Sequence, residues 1–356
     1  MPSSAESALV DAARSGDDQA YRRLVEARRP ELHAHCYRML GSYQDAEDAL
    51  QEALLRAWRG LPRFDGRSSF RTWIYRIATN ACLDAIGRRG RRALPLHEVP
   101  AARAADGFPE PMAEQVWVEP YPDERIGLAD GAAGPDARYE QREAVELAFV
   151  AAVQNLPPRQ RAALVLRDVL GFSAQEAAGI LETSVAALNS ALQRAREGVE
   201  ARAPQRTQQQ TLRALGDAGV RELVRRYTDA LERADVEAVV GLLTEDAAWS
   251  MPPLTTWYGG LDAIRGFLAE HGLSVRWRHR PTRANGQLAV GCYAWDESRG
   301  LYVASVLDVL TVRGDRIADV TGFATADVFR RLAFEGPPYV ASPVFRRFGL
   351  PDDLPA

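Results

Sequence analysis

The sequence predicts a multidomain chain in which two all-α domains precede a C-terminal α+β domain. Helical periodicity with clear start and stop residues fills residues 7–92 and 136–203. A stretch rich in Pro, Ala, Gly and acid, residues 93–135, holds no period and reads as a linker. From residue 217 the pattern becomes helices followed by runs with β character, the order expected of a separate α+β unit. A short polar joint at 204–216 and a tail at 336–356 complete the division, leaving 217–335 for the third domain. A chain of 356 residues is long enough for two or three such cores.

In the first domain Gly16-Asp17 breaks the opening helix, Pro30 suits the first turn of another, and Gly41-Ser42 breaks again. Ser42-x-x-Asp45 resembles a capping box for a helix Asp45–Trp58, and Pro62 and Gly66 separate it from one running from Ser69 to about Gly87. Inside the linker, Trp117, Val118, Tyr121 and Ile126 form an apolar island that a fully solvated segment has no use for, so it is expected to dock. In the second domain Pro157-Pro158 starts a helix that stops at Gly171. Ser173-x-x-Glu176 is a second capping box, and Thr183-Ser184 caps the next helix. In the third, helices Val220–Arg233 and Val236–Leu243 precede a strand-like Asp246–Pro252 and a helix Leu261–His271. β-type runs follow at 273–283, 287–295, 301–312 and 316–323, the last two joined by a tight turn at Arg313–Arg316.

The net charge of −4 speaks against nucleic acid only until its distribution is considered. Every basic side chain is arginine, concentrated in 59–92 and 194–206, while acid collects in 45–52 and 110–136. Arginine's planar fork matches phosphate oxygens and guanine edges. The cysteines Cys36, Cys82 and Cys292 form no C-x-x-C pair, which argues against a disulfide framework and a zinc ribbon. His33, His35 and Cys36 do not share one helical face, so no metal site and no cofactor is expected. No apolar run reaches the ~20 residues a membrane span needs, and the first residues lack a secretory pattern. A cytoplasmic protein is expected.

The densest signal lies in residues 156–197, LPPRQRAALVLRDVLGFSAQEAAGILETSVAALNSALQRARE. Helix Ala174–Leu181, a short turn and helix Val185–Glu197 form a helix-turn-helix, with Ala177, Ala178, Ile180, Val185, Leu188 and Leu192 expected inside. Ser173, Ser184, Ala187, Asn189, Ser190, Gln193, Arg194 and Arg196 remain for solvent or DNA. In the first domain DAEDALQEALLRAW carries an acidic stripe, Asp45, Asp48 and Glu52, opposite an apolar one. The following helix interleaves Phe70, Trp73 and Tyr75 with Arg71, Arg76 and the terminal Arg88, Arg89, Arg91 and Arg92. Aromatic faces and arginines together are the chemistry of single-strand binding, although aromatics in a helix also serve as core.

DAEDALQEALLRAW followed by FDGRSSFRTWIYRIATNACLD resembles region 2 of the extracytoplasmic-function (ECF) subfamily of sigma-70 RNA polymerase sigma factors, and residues 156–197 resemble their region 4. The resemblance implies a region 2 helical bundle and a region 4 helix-turn-helix. It implies that Asp45, Asp48, Gln51, Glu52 and Leu55 serve core-polymerase binding at the β′ clamp helices. It further implies that Phe64, Arg71, Trp73, Arg76, Asn80, Arg88 and Arg89 serve the −10 element, one base being taken from the stack. The region 4 helix is then expected at the −35 element while its domain rests on the β flap. Three departures stand out: Asn189 and Ala191 occupy positions that are basic in many members, the long linker carries WVEPYPD, similar to the signature of a subgroup with a C-terminal extension, and the chain carries such an extension.

That extension resembles the SnoaL-like (NTF2-like) fold, helices against a curved sheet that forms a cone-shaped pocket. Tyr227 lies where isomerases of that fold carry a tyrosine donor, but Met251 aligns with their general-base aspartate. Asp246 sits where it caps or turns. Tyr227, Trp249, Met251, Trp257 and Tyr258 are candidate pocket residues, for a small molecule or simply as filling; His271 and His279 have no evident acid partner. The expectation is therefore no catalytic residue and no enzyme. It is a sigma factor whose third domain modulates activity through a small molecule or intramolecular contact. Two alternatives stay open: a SnoaL-type isomerase or hydrolase tethered to DNA-binding domains, and a helix-turn-helix repressor acting without polymerase.

Overall fold

The N-terminal punctuation becomes helix boundaries in the structure, a computed structural model that describes residues 4–89, 92–95, 100–102, 117–126, 141–202, 206–325 and 344–356. Residues 103–116 and 127–140 of the linker, Arg91, the side chain of Arg89, and all of 326–343 lie outside the described residues. The chain divides into two compact units, Met1–Arg92 with Glu124–Pro204, and Ala93–Asp123 with Gln205–Ala356.

The first unit opens with α1 (Ser4–Arg14) and α2 (Asp18–Glu26), the latter capped by Asp17, whose carboxylate accepts from the amides of Gln19 and Ala20. α3 (Arg29–Leu40) carries its proline in the first turn and ends at Gly41, whose φ of 70° is the left-handed cap that a side chain resists. α4 (Tyr43–Gly60) is capped by Ser42 through the Asp45 amide at 3.1 Å, and α5 is Phe70–Arg89. The later elements are α6 (Leu147–Gln154), α7 (Pro158–Leu164) running into a π-type turn Val165–Val169, α8 (Ala174–Ile180) and α9 (Val185–Glu200).

Every residue of α3 from Leu32 to Leu40 is buried, including His33, His35 and Arg38. A helix sunk this deeply must satisfy its polar groups inside. Arg38 donates to the Ala144 carbonyl at 3.1 Å, and Gln154 donates to the Arg38 carbonyl at 3.1 Å. Arg161, on α7, donates to the carbonyls of Met39, Gln154 and Leu156 and to the Gln154 side chain at 2.6 Å. The helix-turn-helix has its own core of Val153, Leu156, Leu164, Leu192 and Ala195. At Gly198 an added Cβ would meet Leu156 at 2.7 Å, so the glycine lets α9 close on that core.

In the second unit α10 (Gln208–Glu232) bends at Gly216 (φ 70°), and α11 is Val236–Val240. Two glutamines of the expected polar joint, Gln208 and Gln209, are instead buried. Gln208 and the backbone of Val312 exchange two hydrogen bonds, at 2.7 and 3.0 Å, so the joint is the first turn of a docked helix capped by Thr207. The strands are β1 (Leu243–Ser250), β2 (Trp257–Gly259), β3 (Trp277–Ala284), β4 (Gln287–Asp296), β5 (Leu301–Arg313) and β6 (Arg316–Ala324), with α12 (Leu261–Phe267) after β2. Their order is β2-β1-β6-β5-β4-β3. The expected antiparallel meander runs from β3 to β6, and β1 joins parallel to β6, making the sheet mixed. The apolar island docks on this unit: the Trp117 indole donates to the Pro253 carbonyl at 3.0 Å, and Tyr121 and Asn285 exchange hydrogen bonds at 2.7 and 2.8 Å. Part of the expected tail folds as well. α13 (Val344–Arg347) and β7 (Asp353–Leu354) pack on β4 and β5, where a Cβ at Gly291 would strike Leu350 at 2.6 Å.

His35 gives the first unit a built-in acid sensitivity. Burial, reinforced by the Arg38 charge, pushes its imidazole down to about 3, and its Nε2 shares a hydrogen bond with Thr79 at 3.0 Å. The unfolded chain binds that proton near pH ~6.5 whereas the folded one does not, so stability falls as pH drops from ~6.5 toward 3. Hydrogen exchange of the α3 amides is expected to show about 2 kcal/mol less protection at pH 5 than at pH 7. His35→Gln should remove most of that difference; an equal loss in the variant would contradict the assignment.

Candidate nucleic-acid interface and C-terminal cavity

The outer face of α4 presents Asp48, Gln51 and Glu52 exposed around Leu55, a large apolar side chain left 52% exposed. Glu52 pairs with Arg56 at 2.7 Å, and Arg56 reaches Asp84 on α5 at 2.9 Å. Asp45, expected on the same stripe, is elsewhere. It is buried and bonded to Arg92 at 2.7 Å, because its place in the first turn of α4 faces the returning chain rather than solvent.

Phe64, Phe70 and Trp73 form a buried aromatic cluster, with ring centroids of Phe64 and Trp73 5.0 Å apart and Phe70 and Trp73 5.8 Å apart. Along α5, Arg76 and Arg88 are exposed, Asn80 is half-buried, and the helix ends at Arg89. Arg71 is committed within the first unit. It donates to the Leu170 carbonyl at 2.9 Å and lies 4.1 Å over the Phe172 ring. Beside it the Thr72 hydroxyl donates to Glu176 at 3.2 Å, so the arginine-aromatic helix of the first domain holds the turn before α8.

The helix-turn-helix is capped as its sequence implies. Ser173 and Glu176 exchange hydrogen bonds at 3.2 and 2.9 Å, and those bonds from Ser173 hold the Glu176 carboxyl below its ordinary range. Ser184 accepts from the Ala187 amide at 3.1 Å. Ser173, Ser184, Ala187, Asn189, Ser190, Gln193, Arg194 and Arg196 are all exposed. Val185, expected in the core, is 38% exposed, since the first residue of α9 projects past α8. Arg196 is held by Asp168 through two bonds of 2.7 and 2.8 Å, a partner 28 positions away that helical spacing could not reveal.

Helices and sheet of the second unit line a partly open cavity of about 230 Å³. Trp249, Met251, Phe267, Trp277 and Val306 are among its walls, and Asp308 is also part of its lining. Of the candidate pocket residues, Trp249 and Met251 line it, whereas Tyr227, Trp257 and Tyr258 do not. Tyr227 lies behind, donating to Asp308 Oδ2 at 2.9 Å, and the Cys292 thiol approaches the same oxygen at 3.3 Å. Burial pushes the Asp308 carboxyl up, opposed by these two hydrogen bonds; burial also pushes up the Tyr227 hydroxyl and the Cys292 thiol. His271 and His279 both line the cavity, and each has an acid nearby after all. His279 Nδ1 lies 3.5 Å from Glu232, and His271 lies 3.9 Å from Glu270. Asp246 is on an exposed part of β1, paired with Arg313. Sequence reasoning missed Asp308, the one carboxyl in the apolar run of β5, where an acid in an otherwise apolar strand was the available signal.

These elements coincide with three family models: sigma-70 region 2 over residues 24–92, sigma-70 region 4 over 146–197, and a SnoaL-like domain over 224–320. The chain is 39% identical over 344 residues to the ECF RNA polymerase sigma factor SigG of Mycobacterium tuberculosis, which covers 96% of this chain and 86% of that one. It is 30% identical over 192 residues to the ECF RNA polymerase sigma-E factor of Escherichia coli, covering 54% of this chain and 91% of that protein. The solved structure of M. tuberculosis ECF sigma factor SigJ shares the fold, with a TM-score of 0.53 at 24% identity over 86% of this chain and 96% of that one. The two helical domains define a sigma factor. The chain belongs to the ECF RNA polymerase sigma factors, with a C-terminal SnoaL-like extension, and acts in promoter-specific transcription initiation.

Because Asp168 neutralises Arg196, Asp168→Asn is expected to free one cation for DNA phosphate. Duplex binding should tighten, and the slope of log K against log salt should steepen by about 0.9. An unchanged slope would show that Arg196 stays clear of the backbone.

Proposed function

We propose that the chain docks core RNA polymerase through Asp48, Gln51, Glu52 and Leu55 on the β′ clamp helices, with its region 4 domain on the β flap. The supporting observation is Leu55, an apolar side chain exposed among acids on the outer face of α4 in the region 2 match. An apolar side chain ringed by acids suits the centre of a contact whose rim is polar. Asp45 acts on this face indirectly, by anchoring the first turn of α4 to Arg92.

Phe64, Arg71, Trp73, Arg76, Asn80, Arg88 and Arg89 engage the −10 element, whose bases stack against aromatic faces once unpaired. Arg76 and Arg88 are available as they stand, whereas Phe64 and Trp73 must first be uncovered from their buried cluster, and Arg71 must exchange its contacts with Leu170 and Phe172 for phosphate. Ser184, Ala187, Asn189, Ser190, Gln193 and Arg194 read or clasp the −35 element, with Ser173 at the entry of α8 and Arg196 after release from Asp168. The protein performs no bond chemistry: the position of the isomerase base is Met251, and Asp246 is held by Arg313 at the surface. It works in the cytoplasm, and no described helix is long and apolar enough to cross a membrane. The C-terminal domain modulates initiation through the linker island that it binds or through a ligand in its cavity.

Leu55→Asp is expected to weaken core-polymerase binding at least about tenfold, as loss of a buried interface anchor does, while the helical circular dichroism stays unchanged. Undiminished binding would remove α4 as the docking face. Deleting residues 206–356 should change the rate of run-off transcription in either direction; an identical rate would dispose of the regulatory role.

A further inference from the structure

The cavity in the C-terminal domain contains more chemistry than filling a fold requires. Its volume of about 230 Å³ exceeds the ~150 Å³ of an apolar cavity known to take a benzene ring. Its walls are largely aromatic and aliphatic, yet Asp308 sits in its lining at 4% exposure. A buried carboxyl is costly beside an apolar residue of similar size unless its oxygens are used. Oδ2 is used, by Tyr227 and Cys292, whereas among the described residues Oδ1 takes no hydrogen bond. Opposite it on β6 stands Gly322, where a Cβ would come within 3.0 Å of Oδ1, so the sequence leaves that oxygen uncrowded.

We propose that this cavity binds a compact, uncharged, largely apolar ring compound carrying one hydroxyl or carbonyl oxygen, which Asp308 engages through Oδ1. The walls, apolar apart from Asp308, Ser274, His271 and His279, disfavour an anion, which would face both a desolvation cost and the Asp308 carboxyl. An ammonium would need a fully ionised carboxylate inside an apolar cavity, which burial disfavours. A hydroxyl or carbonyl is served by the acid form, which donates, and a hydroxyl also by the carboxylate, which accepts. Trp249 and Trp277 supply flat faces for the ring, and Tyr227 fixes the carboxyl from behind. The inference deepens the reading of the C-terminal domain as a regulator. Its test measures binding alone, so loss of the regulatory role in transcription and loss of this site are separate results.

The test is calorimetric titration of the full chain with 2-naphthol, naphthalene, 2-naphthoate and 2-naphthylmethylammonium. Saturable 2-naphthol binding is expected, about tenfold tighter than naphthalene, the worth of one buried hydrogen bond, with the two ions weaker still. Asp308→Leu should abolish the preference for 2-naphthol while naphthalene still binds. Should that variant fail to fold, Val306→Phe, which fills the cavity from its wall, should abolish 2-naphthol binding. Naphthalene binding as tightly as 2-naphthol, tighter binding of the ammonium, no saturable binding of 2-naphthol, or full binding by Val306→Phe would each overturn the proposal.

Discussion

One buried guanidinium organises the first unit. Arg161 lies where two helix C-termini converge, α3 ending at Leu40 and α6 at Gln154, and it donates to the carbonyls of Met39, Gln154 and Leu156. Helix ends leave such carbonyls without intrahelical partners, and the negative end of each helix dipole favours a cation there. Burial pulls the Arg161 pKa down to about 10, which still leaves the group charged at neutral pH. An amine of a shorter reach and three donors could not serve the same spread of acceptors, and the chain contains no lysine to try. Because Met39 belongs to the region 2 domain and Gln154 and Leu156 to the region 4 domain, this single side chain fixes the fit of the two helical domains within their unit.

That fit bears on function through the helix that carries the arginines and aromatics. Arg71 and Thr72 hold the turn leading into α8, so side chains assigned to the −10 element also clasp the helix-turn-helix. The contacts are individually modest: one hydrogen bond to a carbonyl, one cation over a ring, one hydroxyl to a carboxylate. Contacts of that size are compatible with the proposed exchange for phosphate. The second unit follows a similar economy of buried polar groups. Gln208 seals the edge of β5, Asn285 receives the linker island, and Asp308 faces the cavity.

Local chemistry made much of the fold legible. The caps at Ser42, Ser173 and Ser184, the proline in the first turn of α3 and the β3–β6 meander all follow from short-range patterns. What escaped depended on distant partners. Asp45 belongs to an acidic stripe by spacing, but Arg92 draws it inside. Gln208 and Gln209 look like part of a solvated joint by composition, and only the backbone of Val312 and Gly286 makes them structural. Trp117 and Tyr121 were legible as an island that must dock, though not where. At the C-terminal cavity, Trp249 and Met251 were readable from the resemblance, while Asp308 required the sheet register that places Val290 opposite it and Cys292 two residues farther along β4.

The central claim is that this chain directs polymerase to promoters, and run-off transcription tests it most directly. Core RNA polymerase would be combined with the full chain on a library of promoter fragments. The account predicts starts at fixed positions downstream of two short elements, spaced so that region 2 and region 4 can engage them together. Absence of specific starts, with binding to duplex DNA intact, would contradict it and leave a DNA-binding protein that works without polymerase.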